Sequence, residues 1–289
     1  MTVADVLHEL IDLLALERIE ENLFRGQSQD LGWGAVFGGQ VLGQALSAAE
    51  QTVPADRSCH SLHAYFLRTG DVRRPIVYEV DRIRDGHSFT TRRVRAVQGG
   101  EAIFSLSASF HQQEDGFAHQ DPMPATVDPE SLKSEVELAR MVADLLPPGL
   151  RERATATRPI DIRPVHPNNP MAPRIMPPTK QVWFKAIDAL PDDPKLHRYL
   201  LAYASDFHFL VTALHPHGVS WLTRGMQVAS LDHAMWFHRP FRMDDWLLHD
   251  MDSPSAGGAL GLVRGRVYDR AGNLVATTMQ EGLIRDRRG

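Results

Sequence analysis

The stretch Phe37-Gly38-Gly39-Gln40-Val41-Leu42-Gly43-Gln44-Ala45-Leu46-Ser47-Ala48-Ala49-Glu50-Gln51-Thr52-Val53 presents small and aliphatic residues on every side of a helical wheel. A helix lying on a surface would keep one polar face, so this segment is expected to run inside a sheet. Gly38, Gly39 and Gly43 each lower helix propensity by up to ~1 kcal/mol, and close approach of another backbone is the predicted reason for them. Period-two segments follow at 60–67, 76–83, 88–97 and 102–111, divided by Gly70-Asp71, Asp85-Gly86 and Gln98-Gly99-Gly100. The predicted order is a buried helix followed by an antiparallel meander, and a short amphipathic helix over 3–16 precedes it.

The same order recurs beyond residue 195. An apolar helix is predicted over 199–215, then strands over 227–237, 246–252, 259–268 and 274–284, with a turn at Asp269-Arg270-Ala271-Gly272-Asn273. Laying the halves together at an offset of about 170 residues matches His63-Ala64 with His233-Ala234 and Phe66 with Trp236. With small gaps it also matches Ile103-Phe104 with Leu274-Val275, so the chain reads as an internal duplication. Residues 1–125 form the N-terminal copy, 126–180 a helix and proline-rich connector, and 181–289 the C-terminal copy. Nine of the 19 prolines fall between residues 147 and 178, which predicts an extended linker there. An amphipathic helix over 130–146 leads into it, and Val182-Trp183-Phe184 should rejoin the fold as a strand.

Composition narrows the function classes. With 31 Lys and Arg against 36 Asp and Glu, a net charge of −5 supplies no global positive field for a nucleic acid or an anionic membrane. A hydrophobic fraction of 43% with 23% charged residues excludes wholesale disorder. No apolar run approaches the ~18–20 residues a bilayer requires, so no membrane insertion is expected. A lone cysteine, Cys59, fits a reducing compartment. Met1-Thr2-Val3-Ala4-Asp5 lacks the order of a secretory signal and Arg287-Arg288-Gly289 is not a Ser-Lys-Leu address, so a cytoplasmic location is expected.

Gly-x-Ser-x-Gly, Gly-x-x-x-x-Gly-Lys and His-Glu-x-x-His are all absent, which removes most weight from serine hydrolases, P-loop enzymes and zinc proteases. Strand parity sends His60 and His63 to opposite faces, and His215-Pro-His217 is an unspecific turn, so no metal is expected. Asp206, in Tyr203-Ala204-Ser205-Asp206-Phe207-His208-Phe209-Leu210, is a carboxylate on a nearly all-apolar segment. Burying it without donors costs several kcal/mol, so it either lines a cleft or, like Ser205, starts the helix as an N-cap. Ser230 and Gln280 interrupt apolar strands of the same copy and serve either a site or the outer strand face.

The residues from about 24 to 284 resemble the acyl-CoA thioesterase II family. The matching text is Val36-Phe37-Gly38-Gly39-Gln40-Val41 with Gly43-Gln44-Ala45-Leu46, then His60-Ser61-Leu62-His63-Ala64-Tyr65-Phe66-Leu67-Arg68 and Arg84-Asp85-Gly86-His87-Ser88-Phe89. The second half adds Tyr203-Ala204-Ser205-Asp206, the run from Leu231-Asp232-His233 through Trp236 to Phe241, and Gln280-Glu281-Gly282. The resemblance implies an α+β double hotdog, two antiparallel sheets each wrapped around a central helix, in tandem in one chain. It implies hydrolysis of fatty acyl-CoA to free fatty acid and CoA without a cofactor, and assembly as a homodimer or larger homo-oligomer.

By the same resemblance the catalytic trio is Asp206, Ser230 and Gln280, with Ser230 standing where the family often has Thr. Asp206 would take a proton from water held by Ser230 and Gln280. Backbone N–H groups around the start of the Asp206 helix would hold the oxyanion. Val36 falls near the Asp206 position of the first copy, which should therefore be silent. Substrate contacts are expected at Arg84, Gly86, Ser88, Phe89, His233 and Trp236, with Arg82, Arg92, Arg93 and Arg95 adding local positive charge for the CoA phosphates. A hotdog enoyl-CoA hydratase would carry a histidine at Val211, and a non-catalytic acyl-CoA binding or sensing protein would tolerate loss of the trio, so both rank behind hydrolysis.

Overall fold

The computed structural model describes residues 3–288; Met1, Thr2 and Gly289, on which part of the terminal readings falls, lie outside the described residues. The first copy runs α1 (Val3–Leu14), β1 (Glu17–Glu20), β2 (Leu23–Gly26), α2 (Gly38–Glu50), β3 (Ser58–Phe66), β4 (Ile76–Asp85), β5 (Phe89–Gln98) and β6 (Glu101–His111). The connector carries α3 (Glu135–Met141), α4 (Pro148–Thr155) and β7 (Ile160–Pro164). The second copy begins with β8 (Thr179–Ala186), α5 (Pro194–Ser205) and α6 (Val211–Leu214). It continues through β9 (Met226–Ser230), β10 (Asp232–Phe237), β11 (Leu247–Gly257), β12 (Leu260–Asp269) and β13 (Leu274–Asp286).

The strands join into one sheet in the order β1-β2-β4-β5-β6-β3-β10-β13-β12-β11-β8-β7, with β9 beside β13. The sequence β2-β4-β5-β6-β3 is thus answered in reverse by β10-β13-β12-β11-β8, the double hotdog that the resemblance implies. At the junction β3 and β10 run antiparallel, with His63 opposite Ala234 and Ala64 opposite His233. A two-fold relation between equal copies requires this crossing of the matched dipeptides.

Helices α2 and α5 lie antiparallel under the sheet. A Cβ on Gly39 would stand 2.2 Å from the Tyr203 carbonyl oxygen, and one on Gly43 3.0 Å from that of Tyr199. The glycines therefore admit the neighbouring helix, as their helix-weakening cost suggested. One apolar cluster runs through both copies and includes Leu42, Ala45 and Leu46 of α2 with Leu200, Leu201 and Ala204 of α5.

Several boundaries differ from expectation for local reasons. The 199–215 helix starts earlier, where Asp193 caps the Lys195 amide and Pro194 needs no donor. It ends at Ser205, because His208 adopts φ +64, a left-handed conformation that a right-handed helix cannot include. The 227–237 strand divides at Leu231, whose N–H donates to the Glu281 carbonyl while its own carbonyl accepts from Phe66. The 130–146 helix shrinks to α3, opened by a Ser134–Glu137 capping box, with a 3-10 turn on either side.

The linker is not merely extended. Pro148 sits in the first turn of α4, and Pro164 ends β7, which lies at the sheet edge where a missing donor costs nothing. The short edge strand β1 was not foreseen, since all four of its residues are exposed and show no alternation.

Candidate active site

Asp206 is the C-cap of α5, at the opposite end of the helix from an N-cap, so the capping alternative does not hold. Its half-buried carboxylate meets two neutral donors. Gln280 Nε2 donates to Oδ1 at 2.8 Å, and the Gly39 backbone N–H, in the first turn of α2, donates to the carboxylate. A Cβ on Gly38 would come within 2.6 Å of Asp206 Oδ2 and 2.9 Å of the Phe66 ring, so glycine is what lets the start of α2 close on this carboxylate. Burial raises the Asp206 pKa above the ordinary carboxylate value, against the opposing Gln280 and Gly39 hydrogen bonds. Asp206 therefore gains basicity without a cation nearby to quench it.

Gln280 lies on the inner face of β13, where Ala276, Thr278, Gln280 and Gly282 alternate inward. Ser230 pairs directly with Gly282 across β9 and β13, which puts its side chain on that same face, one diagonal position from Gln280. A Cβ on Gly282 would strike Leu210, so this face looks onto the turn that follows Asp206. Asp206 and Gln280 are thus in direct contact, and Ser230 flanks them. Aromatic rings border the site: Phe37 stacks on Phe207 at 4.4 Å and meets Tyr203 edge-on at 5.3 Å.

The expected substrate contacts fare differently. His233 is fully buried; its Nδ1 lies 3.3 Å from Gln280 Nε2 and its Nε2 3.0 Å from Ser205 Oγ, so it stands behind Gln280. Burial holds its pKa down at about 3, and the ring is neutral. Trp236 has the opposite strand parity from the buried His233 and Met235, and it packs edge-on against exposed His63 at 5.2 Å on the outer face of the sheet.

Arg84, Gly86, Ser88 and Phe89 occupy the β4–β5 hairpin, where Phe89 and Ser58 both pair with His111. Phe66, which reaches Gly38 beside Asp206, is at the other end of the nine-residue β3. At ~3.3 Å per residue these ends are roughly 26 Å apart, so the hairpin is remote from Asp206 within this chain. The arginines around it are largely engaged by carboxylates. Arg82 pairs with Glu21, Arg93 with Asp81 and Arg95 with Glu79, while buried Arg92 binds Asp85 and Thr52.

The position of Val36 is also corrected. The strands keep the offset near 170, but the starts of the helices, Gly38 and Pro194, lie 156 residues apart. Val36 precedes α2 and bonds to Gly70, whereas the last residue of α2 is Glu50 and the residue capping α5 is Asp206. The carboxylate placed like Asp206 is therefore Glu50, 1% exposed and ion-paired to Arg198 at 2.5 Å. The oxyanion expectation moves too, because the helix start that faces Asp206 belongs to α2 of the other copy.

Sequence reasoning missed Ser205 and His208. His208 Nε2 lies 3.0 Å from Glu135 Oε1 of α3, tying the turn after Asp206 to the connector. Burial alone would raise the Glu135 carboxyl, but His208, Lys180 and Arg158 together hold it at about 2. Nothing in a linear reading joins residues 135, 180 and 208. The Gly38-Gly39 pair was legible as a close-approach signal, but not as a carboxylate holder.

A half-buried carboxylate held by an amide and a backbone N–H, with no ion pair to a cation among the described residues, has the geometry of a proton acceptor. Residues 150–283 match the acyl-CoA thioesterase family and residues 28–111 match the acyl-CoA thioesterase N-terminal domain. Acyl-CoA thioesterase 2 of Haemophilus influenzae is 47% identical over 283 residues, covering 98% of this chain and 99% of its own. The crystal structure of an acyl-CoA thioesterase II from Mycobacterium marinum superimposes with a TM-score of 0.79 at 43% identity, covering 97% of this chain and 98% of that one. A hotdog-fold protein of unknown function from Alicyclobacillus acidocaldarius, 18% identical, shares the fold with a TM-score of 0.77, covering 96% of this chain and 98% of its own. The chain belongs to the acyl-CoA thioesterase family.

Proposed function

We propose that this acyl-CoA thioester hydrolase works by general-base activation of water at Asp206, releasing a free fatty acid and CoA. The observation that carries the reading is the Asp206 carboxylate held by Gln280 and Gly39, both neutral donors, in a buried setting that raises its pKa. Donors without charge orient a base and leave it able to accept a proton. Gln280 donates to Oδ1 and the Gly39 N–H donates to the carboxylate, and the lone pairs that these two donors leave take the proton from water. The Ser230 hydroxyl, on the same sheet face, holds that water in register.

The attacked thioester oxygen becomes negative, and the N-terminus of α2 directs backbone N–H groups and its positive dipole end toward the site. CoA leaves as a thiolate, which needs no strong acid. Phe37, Phe66 and Phe207 supply the apolar surface nearest the reacting carbonyl, in place of Trp236.

The first copy is read as catalytically silent, since Glu50 is neutralised by Arg198. Residues 1–125 and 181–289 are taken as the two units, with 126–180 between them. A cytoplasmic location, supported by the lone buried Cys59, and a homodimer or larger assembly complete the reading; light scattering at micromolar concentration giving a monomer would refute the assembly. Among the described residues no helix is long and apolar enough to cross a membrane.

The function is tested by thiol release across acyl-CoA substrates of increasing chain length, with Asp206→Asn as the control. Robust turnover lost in the variant is the expected result. Absence of turnover on every chain length would defeat it.

A further inference from the structure

An amide side chain has two ends of similar shape and opposite hydrogen-bonding sense, so Gln280 serves the Asp206 carboxylate only when its nitrogen faces it. Two acceptors converge on that nitrogen, Asp206 Oδ1 at 2.8 Å and His233 Nδ1 at 3.3 Å, while Gln280 Oε1 is buried without a hydrogen-bond partner among the described residues. Nδ1 accepts only if the imidazole carries its proton on Nε2. The next two bonds enforce this. Ser205 Oγ donates to the Ala202 carbonyl at 2.9 Å, so toward His233 it can only accept, and His233 Nε2, 3.0 Å away, must donate. The order of donors runs from His233 Nε2 through Ser205 to the Ala202 carbonyl, and from Gln280 Nε2 to both His233 Nδ1 and Asp206.

The ring itself is packed against an aromatic neighbour. Its fully buried strand position places it against Phe209, with ring centroids 5.6 Å apart, and Phe209 in turn packs on His249 at 5.2 Å. Phe209 follows directly on His208, the residue in the left-handed conformation that ends the α5 segment. The turn carrying Asp206 and the ring orienting Gln280 are therefore packed as one unit.

We propose that His233 is a positioning residue which, through Nδ1, fixes the Gln280 amide with Nε2 on Asp206 and leaves Oε1 as the acceptor for the reacting water. This inference rests on the reading of Asp206 as general base. Turning the amide over would set its oxygen against both the carboxylate and the bare Nδ1, two acceptors without a proton between them. Burial keeps the imidazole neutral, which preserves Nδ1 as an acceptor under working conditions. His233 touches no reacting atom, so its loss should reach turnover without reaching ground-state binding.

The test compares His233→Leu with His233→Asn on one acyl-CoA, reading kcat, KM and Tm. His233→Leu removes the acceptor and should lower kcat by about tenfold or more with KM within about twofold. In His233→Asn the side-chain oxygen can stand where Nδ1 was, and kcat should recover to within about threefold of the parent protein at a similar Tm. In a Gln280→Ala background His233→Leu should add nothing further, because the effect passes through the amide.

Equal losses in the two variants, unchanged kcat in His233→Leu, or a full additional loss in the Gln280→Ala background would each overturn the proposal. Should His233→Leu fail to fold, Ser205→Ala carries the test: it removes the acceptor that fixes the proton on Nε2, and kcat should fall about threefold with KM unchanged. An unchanged kcat there would also overturn it. Asp206→Asn, assayed in parallel, separates the two levels, since undiminished turnover in that variant defeats the general-base reading irrespective of His233.

Discussion

The two central helices each end in a carboxylate, and the molecule treats them oppositely. Glu50, at the end of α2, is 1% exposed and joined to the Arg198 guanidinium. Asp206, capping α5, is held by an amide and a backbone N–H. Both arrangements satisfy a carboxylate, but only the one at Asp206 does so with neutral donors. A guanidinium cancels the charge and stabilises the ionised form, whereas neutral donors orient it while burial keeps its proton affinity high. Duplication thus supplied two equivalent places, and the charge of the partner separates structure from chemistry.

The comparison breaks most sharply at Asp206. Asp206→Asn should lower kcat/KM by at least ~10²-fold, as loss of a general base does, while acyl-CoA binding persists. Thiol release and a binding isotherm on the same variant check both halves, and undiminished release would remove the distinction between the copies. Ser230→Ala should cost less, roughly tenfold in kcat, because a positioning hydroxyl is lost and the base remains.

The pH profile is a milder probe. Burial raises the Asp206 pKa, so kcat/KM should fall on the acid side with its midpoint above the ordinary carboxylate value of 3.8, the protonated form being inactive. A midpoint at or below that value would mean that the site is not desolvated when it works.

Glu50→Ala should leave turnover within about twofold but strand a buried guanidinium, at a cost of about 3–5 kcal/mol. A clear drop in Tm with near-parental kcat is the expected pair of results. Joint replacement of Glu50 and Arg198 by Leu should restore most of the stability. A large loss of kcat in Glu50→Ala would give the first copy a catalytic part it is not expected to have.

A further test concerns acid stability. His233 and His249 are buried neutral, both held at about 3 instead of 6.5. A histidine with a depressed folded pKa contributes its full stability above 6.5 and loses it as pH falls toward 3, since the unfolded chain then binds the extra protons. Tm should accordingly decline across that window.

Much of the architecture was legible in particular residues. An all-round apolar helix broken by Gly38, Gly39 and Gly43 reads as an enclosed one, and the His63-Ala64 and His233-Ala234 match pointed to the duplication. Asp206 was conspicuous because a carboxylate among aromatics demands an explanation. The carboxylate partners of Arg82, Arg92, Arg93 and Arg95 around the β4–β5 hairpin were not legible, since they depend on strand pairing. One motif carries both Trp236 and His233, but an odd separation along β10 directs them to opposite faces.

The sequence by itself determined the duplication and the enclosed helices, because periodicity and composition are local properties of the chain, while the grouping of Asp206, Ser230 and Gln280 came from the family resemblance. Tertiary structure alone decided which donor meets each carboxylate. The Gly39 amide, the Gln280 side chain and the Asp206 carboxylate come from three distant segments, and Arg198 reaches Glu50 across the helix pair. A carboxylate's basicity depends on burial and on the charge of its nearest donors. Both are set by which segments the fold brings within hydrogen-bond distance, which sequence spacing does not specify.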